Sequence, residues 1–257
     1  MNSDLTNQLY KAISAANVER PMECWHASSI YQCPRAQYLH RLGKKRLNEP
    51  TAGKVLRWSA GHAAEEALRP RIQDVWGNPQ SIEFSSNQRL DSKTLDLTGE
   101  YDNLARKIGT TSGTLIEVKT IHDYAFIDRN GHTYLKEATG NIGPRGGVEY
   151  KPKLTPYLHH EWQNHAYVIL LREKGIEVKN IDYVYMALGG RLSVYHTEVD
   201  ESIVEDVLER LKLLNESWEK QEPPECTCHE GELFWNEANQ YCDFKTEHGC
   251  CELGDEL

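Results

Sequence analysis

The spacing of hydrophobic residues changes four times along the chain, between that of helices and that of strands, and this order constrains the fold more than any other feature. Between residues 55 and 72, apolar residues recur at the spacing of one helical face. From Ser81 the pattern becomes that of short strands, predicted at 82–84, 95–105, 114–121, 181–188 and 192–199. Helical spacing returns over 158–173 and again over 203–218. This order predicts an α/β core wrapped by terminal helices.

Turn and cap residues refine the pattern. Ser29 and the serine before it predict the start of a helix that ends at Gly43. Asn130 and Gly131 separate two short runs that we interpret as a hairpin, because Asn-Gly favours tight turns. The glycine-rich stretch 140–147 predicts a loop.

The chain is long enough for one large domain or for one domain with a small appendage, since it has 257 residues. We place the core at 1–225, including a helical part at about 28–75. The remaining segment, 226–257, follows a pair of prolines and is rich in cysteine. It forms the expected appendage.

The net charge of −10 excludes binding to nucleic acid through a uniformly basic surface. A local basic patch could still contact phosphates, and one candidate comprises Arg35, Arg41, Lys44, Lys45, Arg46, Lys54 and Arg57. A solvated basic helix end explains these residues equally well. No run of about 20 apolar residues is present, and the first residues lack the order of a secretory signal. We therefore expect an intracellular, cytoplasmic protein with no membrane partner.

Three residues on two neighbouring predicted strands form the most informative group. Glu117 and Lys119 share one face of a strand, because side chains alternate, whereas Val118 points away. Asp102 follows Gly99 on the preceding strand, and a hairpin could bring it beside Glu117. Two carboxylates at such a strand pair suit a hard divalent cation. A lysine beside them can position or deprotonate a water and offset charge on a phosphate. A Glu-x-Lys pair alone is more often an exposed ion pair.

The order of these residues resembles the signature of the PD-(D/E)XK nucleases, in the branch with RecB-type nuclease domains and CRISPR-adaptation exonucleases. The signature covers 99–102, which reads Gly-Glu-Tyr-Asp, and 115–119, which reads Leu-Ile-Glu-Val-Lys. Three further segments match motifs of that branch in the right order: 61–65 (Gly-His-Ala-Ala-Glu), 163–167 (Gln-Asn-His-Ala-Tyr) and 29–35 (Ser-Ile-Tyr-Gln-Cys-Pro-Arg). The resemblance spans about residues 28–251.

The resemblance implies a restriction-endonuclease-like fold, in which a central mixed β-sheet is flanked by helices and the N- and C-terminal segments are joined at a metal cluster. It implies that Mg²⁺ or Mn²⁺ is bound by four groups: the carboxylates of Glu65, Asp102 and Glu117 and the carbonyl of Val118. Several relatives use a histidine in place of Glu65. His62, three residues earlier, is therefore an alternative ligand, and Glu66 is a third.

The same resemblance implies roles for three further residues. Lys119 would assist the attacking water. Gln163 and Tyr167, one helical turn apart, would orient Lys119 or contact the DNA backbone. Without the resemblance, a polar pair on an amphipathic helix explains Gln163 and Tyr167 better.

The cysteines lie at the two ends of the chain. Two are near the start and five follow residue 225, namely Cys24, Cys33, Cys226, Cys228, Cys242, Cys250 and Cys251. In an intracellular chain such clustering indicates metal binding or catalysis more than disulfides. The resemblance implies a [4Fe–4S] cluster bound by Cys33, Cys228, Cys242 and Cys250, with Cys226 and Cys251 as alternates. The chain departs from the family at Asn239, where a cysteine is usual, so zinc remains the alternative metal.

The resemblance implies a metal-dependent deoxyribonuclease, an exonuclease that hydrolyses phosphodiester bonds of single-stranded DNA ends with Mg²⁺ or Mn²⁺. Two alternatives stay open: a non-catalytic DNA-binding or assembly subunit with the same fold, and a structure-specific endonuclease. The expected partner is DNA that is single-stranded or has free ends. Partners from recombination, replication or CRISPR adaptation all fit the sequence.

Overall fold

The structure, a computed structural model, describes residues 3–15, 22–44, 51–142, 147–226 and 244. Within these residues the chain forms helices α1 (Ser3–Ala15), α2 (Pro34–Arg41), α3 (Ala52–Trp76), α4 (Leu158–Glu173) and α5 (Glu201–Lys220). Its strands are β1 (Trp25–His26), β2 (Ile82–Ser92), β3 (Leu97–Lys107), β4 (Ser112–Thr120), β5 (Phe126–Arg129), β6 (His132–Ile142), β7 (Val148–Pro152), β8 (Glu177–Met186) and β9 (Leu192–Glu198). None of the described helices is long and apolar enough to span a membrane.

The central sheet is mixed and is organised around β3. One edge of β3 pairs with β2 in antiparallel fashion over nearly its whole length. Its other edge pairs with β4 at one end and, in parallel, with the short strand β1 at the other. Strand β4 then pairs in parallel with β8, and β8 pairs antiparallel with β9. The predicted mixed sheet is therefore confirmed.

Helices cover both faces of this sheet. Apolar side chains of α4 and α5 pack with one face in the main core, which includes Leu115, Leu170 and Leu211. The other face packs against α3 through Ile72, with Ile116 from β4. Burial of these two faces explains why apolar residues alternate along the strands and recur at helical spacing in the helices packed on them.

A second, smaller sheet joins β5, β6 and β7. Asn130 and Gly131 make the turn between β5 and β6 with φ angles of 53° and 79°, so the predicted hairpin is confirmed. Strand β6 is longer than predicted, because its exposed far half pairs with β7. The predicted loop 140–147 is thus strand at its start, and 143–146 lie outside the described residues.

Two predicted helix boundaries are wrong. The serine pair ending at Ser29 lies in a short 3₁₀ turn, and α2 begins only at Pro34. Proline suits this first helical position because it has no N–H to leave unbonded. The helix predicted over 55–72 continues through Pro70 to Trp76. Trp76 explains the extension, since its indole Nε1 donates to the carboxylate of Asp182 at 2.5 Å.

The proposed basic patch loses a central member. The guanidinium of Arg41 lies between the rings of Trp25 and Trp218, 4.4 and 4.3 Å from their centroids. It also forms an ion pair with Asp96. Arg41 is therefore a structural residue and not a phosphate contact. Lys45 and Arg46 lie outside the described residues.

The C-terminal segment contacts the N-terminal helical part. Phe244 is buried against Leu39 of α2, and Ala36 and Cys226 pack beside them. This small cluster joins the two ends of the chain through apolar contact.

Candidate active site

The site lies where the central sheet divides. The pairing of β3 with β4 ends at Asn103 and Ile116, and β1 pairs with β3 only at Leu97 and Thr98. Residues 99–102 of β3 therefore face a gap that no described strand fills. Side chains can therefore occupy the place within the sheet where a neighbouring strand would otherwise pair with β3.

Asp102 lies at the edge of the gap, and its side chain accepts a hydrogen bond that a neighbouring strand would otherwise accept. Its Oδ2 accepts a hydrogen bond from the backbone N–H of Val118 at 2.8 Å. The carboxylate thereby replaces the strand partner that Val118 would otherwise have. The predicted approach of Asp102 to the strand of Glu117 is what the structure shows.

Glu117 is the most buried charged residue of the site, with 0% of its surface exposed. Its Oε1 accepts from Lys119 Nζ at 2.5 Å and from Gln163 Nε2 at 3.0 Å. Its Oε2 is buried and has no hydrogen-bond partner among the described residues. Burying a carboxylate oxygen without a hydrogen-bond partner costs free energy, and such an atom often marks a site that binds an ion or another ligand.

Helix α4 supplies the next layer of contacts. Gln163 Nε2 also contacts the hydroxyl of Tyr167 at 2.7 Å, so the two residues act on Glu117 as one unit. Tyr167 lies so close to β3 that a Cβ at Gly99 would be 2.6 Å from its ring. The glycine of the Gly99–Asp102 segment is thus explained by the packing of Tyr167. The resemblance implies that Gln163 and Tyr167 orient Lys119 or contact the DNA backbone. In the structure the hydrogen bond from Gln163 reaches Lys119 through Glu117.

Helix α3 approaches the end of β4 closely because of Gly61. A Cβ at this position would lie 3.1 Å from Thr120 Oγ1. One turn later Glu65 is partly buried, whereas the side chain of His62 is 80% exposed and 3.5 Å from Glu65. Glu66 is exposed. The inward position therefore belongs to Glu65, and His62 and Glu66 lie on the outer side.

All four charged groups of the site have raised pKa values. Burial raises the pKa of Asp102 and of Glu65, and the charge of Asp102 adds to the effect on Glu65. Burial, together with Asp102, raises the pKa of Glu117 to about 8. Burial acts to lower the pKa of Lys119, but the surrounding carboxylates outweigh it. Three carboxylates share one ammonium, so the site lacks positive charge.

The carboxylates of the site are suitable ligands for a divalent cation, although the described side chains are not close enough together to bind one. No group of three or more His, Cys, Asp or Glu side chains in the described part of the chain is close enough to hold a metal ion. In this arrangement Asp102 accepts a hydrogen bond from a backbone N–H, and Glu117 accepts from Lys119 and Gln163. The unbonded Glu117 Oε2 and the missing positive charge nevertheless match a hard cation with oxygen ligands.

Sequence reasoning missed His159, which lies one helical turn before Gln163 on α4. Its pKa is lowered to about 3, first by burial and then by the Lys119 ammonium, so the ring is neutral. Its ring stacks with Tyr157 at 5.7 Å and lies 6.4 Å from Tyr31. The i, i+4 spacing to Gln163 could have indicated this position.

The cysteine cluster is described only in part. The Sγ atoms of Cys33 and Cys226 are 3.9 Å apart, although 193 positions separate them. This distance excludes a disulfide bond, which requires about 2.05 Å. The structure thus brings one predicted cysteine beside an alternate. The other four, Cys228, Cys242, Cys250 and Cys251, lie outside the described residues.

No family model and no curated protein matches the sequence. Among solved structures, the fold is similar to SSO0001, with 17% identity, a TM-score of 0.42, and coverage of 85% of this chain and 92% of that chain. It is also similar to the alkaline exonuclease LHK-Exo from Laribacter hongkongensis, with 14% identity, a TM-score of 0.49, and coverage of 82% and 93%. The same exonuclease in complex with dAMP gives 12% identity and a TM-score of 0.47, again covering 82% and 93%. These similarities are too distant to assign a function, which has to be argued from the side chains.

Proposed function

We propose that the chain is a metal-dependent deoxyribonuclease that hydrolyses phosphodiester bonds, acting as an exonuclease on single-stranded ends. The observation that carries this proposal is that Asp102, Glu117 and Lys119 lie together at the gap where the pairing of β3 with β4 ends. At that gap the buried Oε2 of Glu117 has no hydrogen-bond partner among the described residues. The order of motifs in the sequence supports the same class of enzyme.

Mg²⁺ or Mn²⁺ is the cation that fits, and Glu65, Asp102 and Glu117 would hold it, with the carbonyl of Val118 as a further candidate ligand. When bound, the cation supplies Lewis-acid polarisation of the scissile phosphate. The three carboxylates need added positive charge, because burial and mutual repulsion raise the pKa of Glu117 and of Glu65. Their role is to provide negative charge and oxygen ligands for the cation.

Lys119 acts as a charged donor in this arrangement. Its raised pKa keeps the side chain an ammonium, and Glu117 fixes it at 2.5 Å. An ammonium can donate to the attacking water and offset negative charge on the phosphate, but it cannot accept a proton. Gln163 donates to Glu117 and to the hydroxyl of Tyr167, so this pair positions Lys119 indirectly through Glu117.

The proposal is tested by cleavage of end-labelled linear and closed circular single-stranded DNA with Mn²⁺. We expect the linear strand to be shortened from an end while the circle stays intact. A chelator should stop cleavage, and added Mg²⁺ or Mn²⁺ should restore it. Failure of both metals to restore cleavage would contradict the mechanism, and cutting of the circle would replace the exonuclease by an endonuclease.

A non-catalytic DNA-binding subunit is the competing function. The complete set of Asp102, Glu117 and Lys119 argues against it, because a chain that has lost catalysis has no need of all three. This alternative takes over if the wild type binds single strands but never cuts them with either metal.

We propose in addition that Cys33 and Cys226 are ligands of a structural metal centre, completed by cysteines of the segment 227–257. Two thiolates on one tetrahedral zinc ion, with bonds of about 2.3 Å, lie about 3.8 Å apart. The observed 3.9 Å therefore favours zinc, whereas the family resemblance favours a [4Fe–4S] cluster. Either centre would tie α2 to the tail and stabilise the fold without taking part in hydrolysis.

Metal analysis of the purified protein distinguishes the two centres, because iron with acid-labile sulfide indicates the cluster and zinc alone indicates the ion. Replacing Cys33 or Cys226 with Ser should release the metal and lower stability by at least about 2 kcal/mol, or about 4–8 °C in unfolding temperature. The control Cys24→Ser should keep its metal. Full metal retention in both test variants would refute the proposed ligands.

A further inference from the structure

The second sheet carries a lysine between two exposed tyrosines. The Nζ of Lys136 on β6 lies 4.2 Å from the ring centroid of Tyr150 and 5.5 Å from that of Tyr124. Tyr124 is 68% exposed and Tyr150 is 43% exposed, so neither ring is part of a core. His122 extends the group, with its ring 4.3 Å from that of Tyr124. We call these four residues the aromatic platform.

The platform face of the sheet is separated from the acidic side chains of the same sheet. Lys136 and Tyr150 share one face, since the register pairs Ala138 with Tyr150 and side chains alternate. Glu137 lies on the opposite face, where it pairs with Lys151 at 3.6 Å. The other carboxylates of this sheet, Asp128 and Glu149, also alternate onto that opposite face. The platform thus combines aromatic surface with a lysine that forms no ion pair among the described residues, in a protein whose net charge is −10.

The position of Tyr124 is fixed by its neighbours. Asp123 accepts a hydrogen bond from the backbone N–H of Gly189 at 3.1 Å. The guanidinium of Arg191 donates to the carbonyl of Asp123 at 3.2 Å and to that of Phe126 at 3.3 Å. The turn that carries Tyr124 is therefore held against the β8–β9 turn. A ring presented in a fixed place loses less entropy when a ligand stacks on it.

The platform is also close to the candidate active site along the chain. Tyr124 is five residues after Lys119, so their Cα atoms are at most about 19 Å apart. His122 is three residues after Lys119, at most about 11 Å away. A strand of DNA whose phosphate lies at Lys119 could therefore reach the platform within a few nucleotides.

We propose that the aromatic platform binds single-stranded DNA next to the cleavage site, with bases stacked on Tyr124 and Tyr150 and a phosphate at Lys136. Exposed rings combined with basic side chains are the usual means of holding unpaired nucleotides. Bases inside a duplex already stack on each other and offer no free face. The platform therefore selects unpaired strands, and this inference rests on the proposed nuclease function.

Binding is measured by fluorescence anisotropy in chelator, so that no strand is cut, with labelled oligo(dT) and a duplex of equal length. Tyr124→Ala and Tyr150→Ala should each weaken single-strand binding by about tenfold and change duplex binding less than twofold. Lys136→Gln should reduce the salt dependence by about 0.7 in log–log slope, the loss of one phosphate contact. The matched controls are Tyr10→Ala, an exposed tyrosine of α1, and Lys151→Gln on the opposite face, which should bind single strands like the wild type.

The outcomes separate this inference from the proposed function. If the wild type cuts DNA but the tyrosine variants bind single strands normally, the platform is refuted and the nuclease stands. If the wild type never cuts but these variants lose single-strand binding, the platform stands and the nuclease falls. Equal losses on duplex and single strand, or no binding of oligo(dT) by the wild type, would also refute the platform.

Discussion

Replacing Glu117 with Gln is expected to reduce cleavage about 1000-fold, which corresponds to about 4 kcal/mol of activation free energy. The amide removes the negative charge that would bind the cation and that holds the ammonium of Lys119 at 2.5 Å. The same change should leave the fold intact and raise the free energy of unfolding in chelator by about 1 kcal/mol. Lys119 keeps Asp102 and Glu65 as counter-charges. The substitution also removes a buried carboxylate charge whose Oε2 has no hydrogen-bond partner in the described part of the chain.

The measurement combines cleavage rates with Mn²⁺ and urea denaturation in chelator. Glu177→Gln, at an exposed position at the start of β8, is the matched control and should change neither quantity appreciably. Normal cleavage by the Glu117 variant would refute its role in binding the cation. A fall in stability of more than about 1 kcal/mol would show instead that Glu117 is needed to hold the fold together.

Replacing Gly99 with Ala should destabilise the protein by about 1–3 kcal/mol and also impair cleavage. The new Cβ would lie 2.6 Å from the Tyr167 ring and 2.9 Å from the Ala27 Cβ, so one of them must move. Movement of Tyr167 breaks its 2.7 Å contact with Gln163 and disturbs the support of Glu117. Thermal unfolding and the cleavage rate report the two effects.

A double-mutant cycle with Tyr167→Leu tests the cause. If the clash with the ring is what makes Gly99→Ala harmful, the substitution should cost markedly less stability once the ring is gone. Gly53→Ala in α3 is the control, because its Cβ would meet nothing closer than 4.0 Å, and it should be neutral or stabilising. An equal cost of Gly99→Ala in both backgrounds would contradict the explanation.

Much of the fold could be predicted because burial leaves a local pattern. Helix α4 has the predicted bounds, because its 16 residues contain no glycine or proline and are too many for a typical buried strand. Strand β6 was predicted too short, because its far half is exposed and is held by β7, a pairing that leaves no local signal. The helix through Pro70 was also misjudged at its end. Its last turn is fixed by the bond from Trp76 to Asp182, which is distant in sequence.

The site residues could be named from the sequence because chemistry and spacing mark them, but their physical state could not. The alternation of β4 placed Glu117 and Lys119 on one face, and the structure brings Asp102 to the same strand. The gap in the pairing of β3, which gives the site its room, depends on the lengths of β1 and β4. The burial of Arg41 between two indole rings likewise depends on tertiary packing, so its charge alone suggested a different role.

The most direct test of the central claim is cleavage of a labelled single-stranded oligonucleotide with Mn²⁺, comparing the wild type with Lys119→Ala and Asp102→Ala. Circular dichroism would show that all three proteins are folded. We expect cleavage by the wild type and a loss of at least about 100-fold in each variant. A wild type that binds the strand without ever cutting it, or folded variants that cut as fast as the wild type, would contradict the proposed nuclease function.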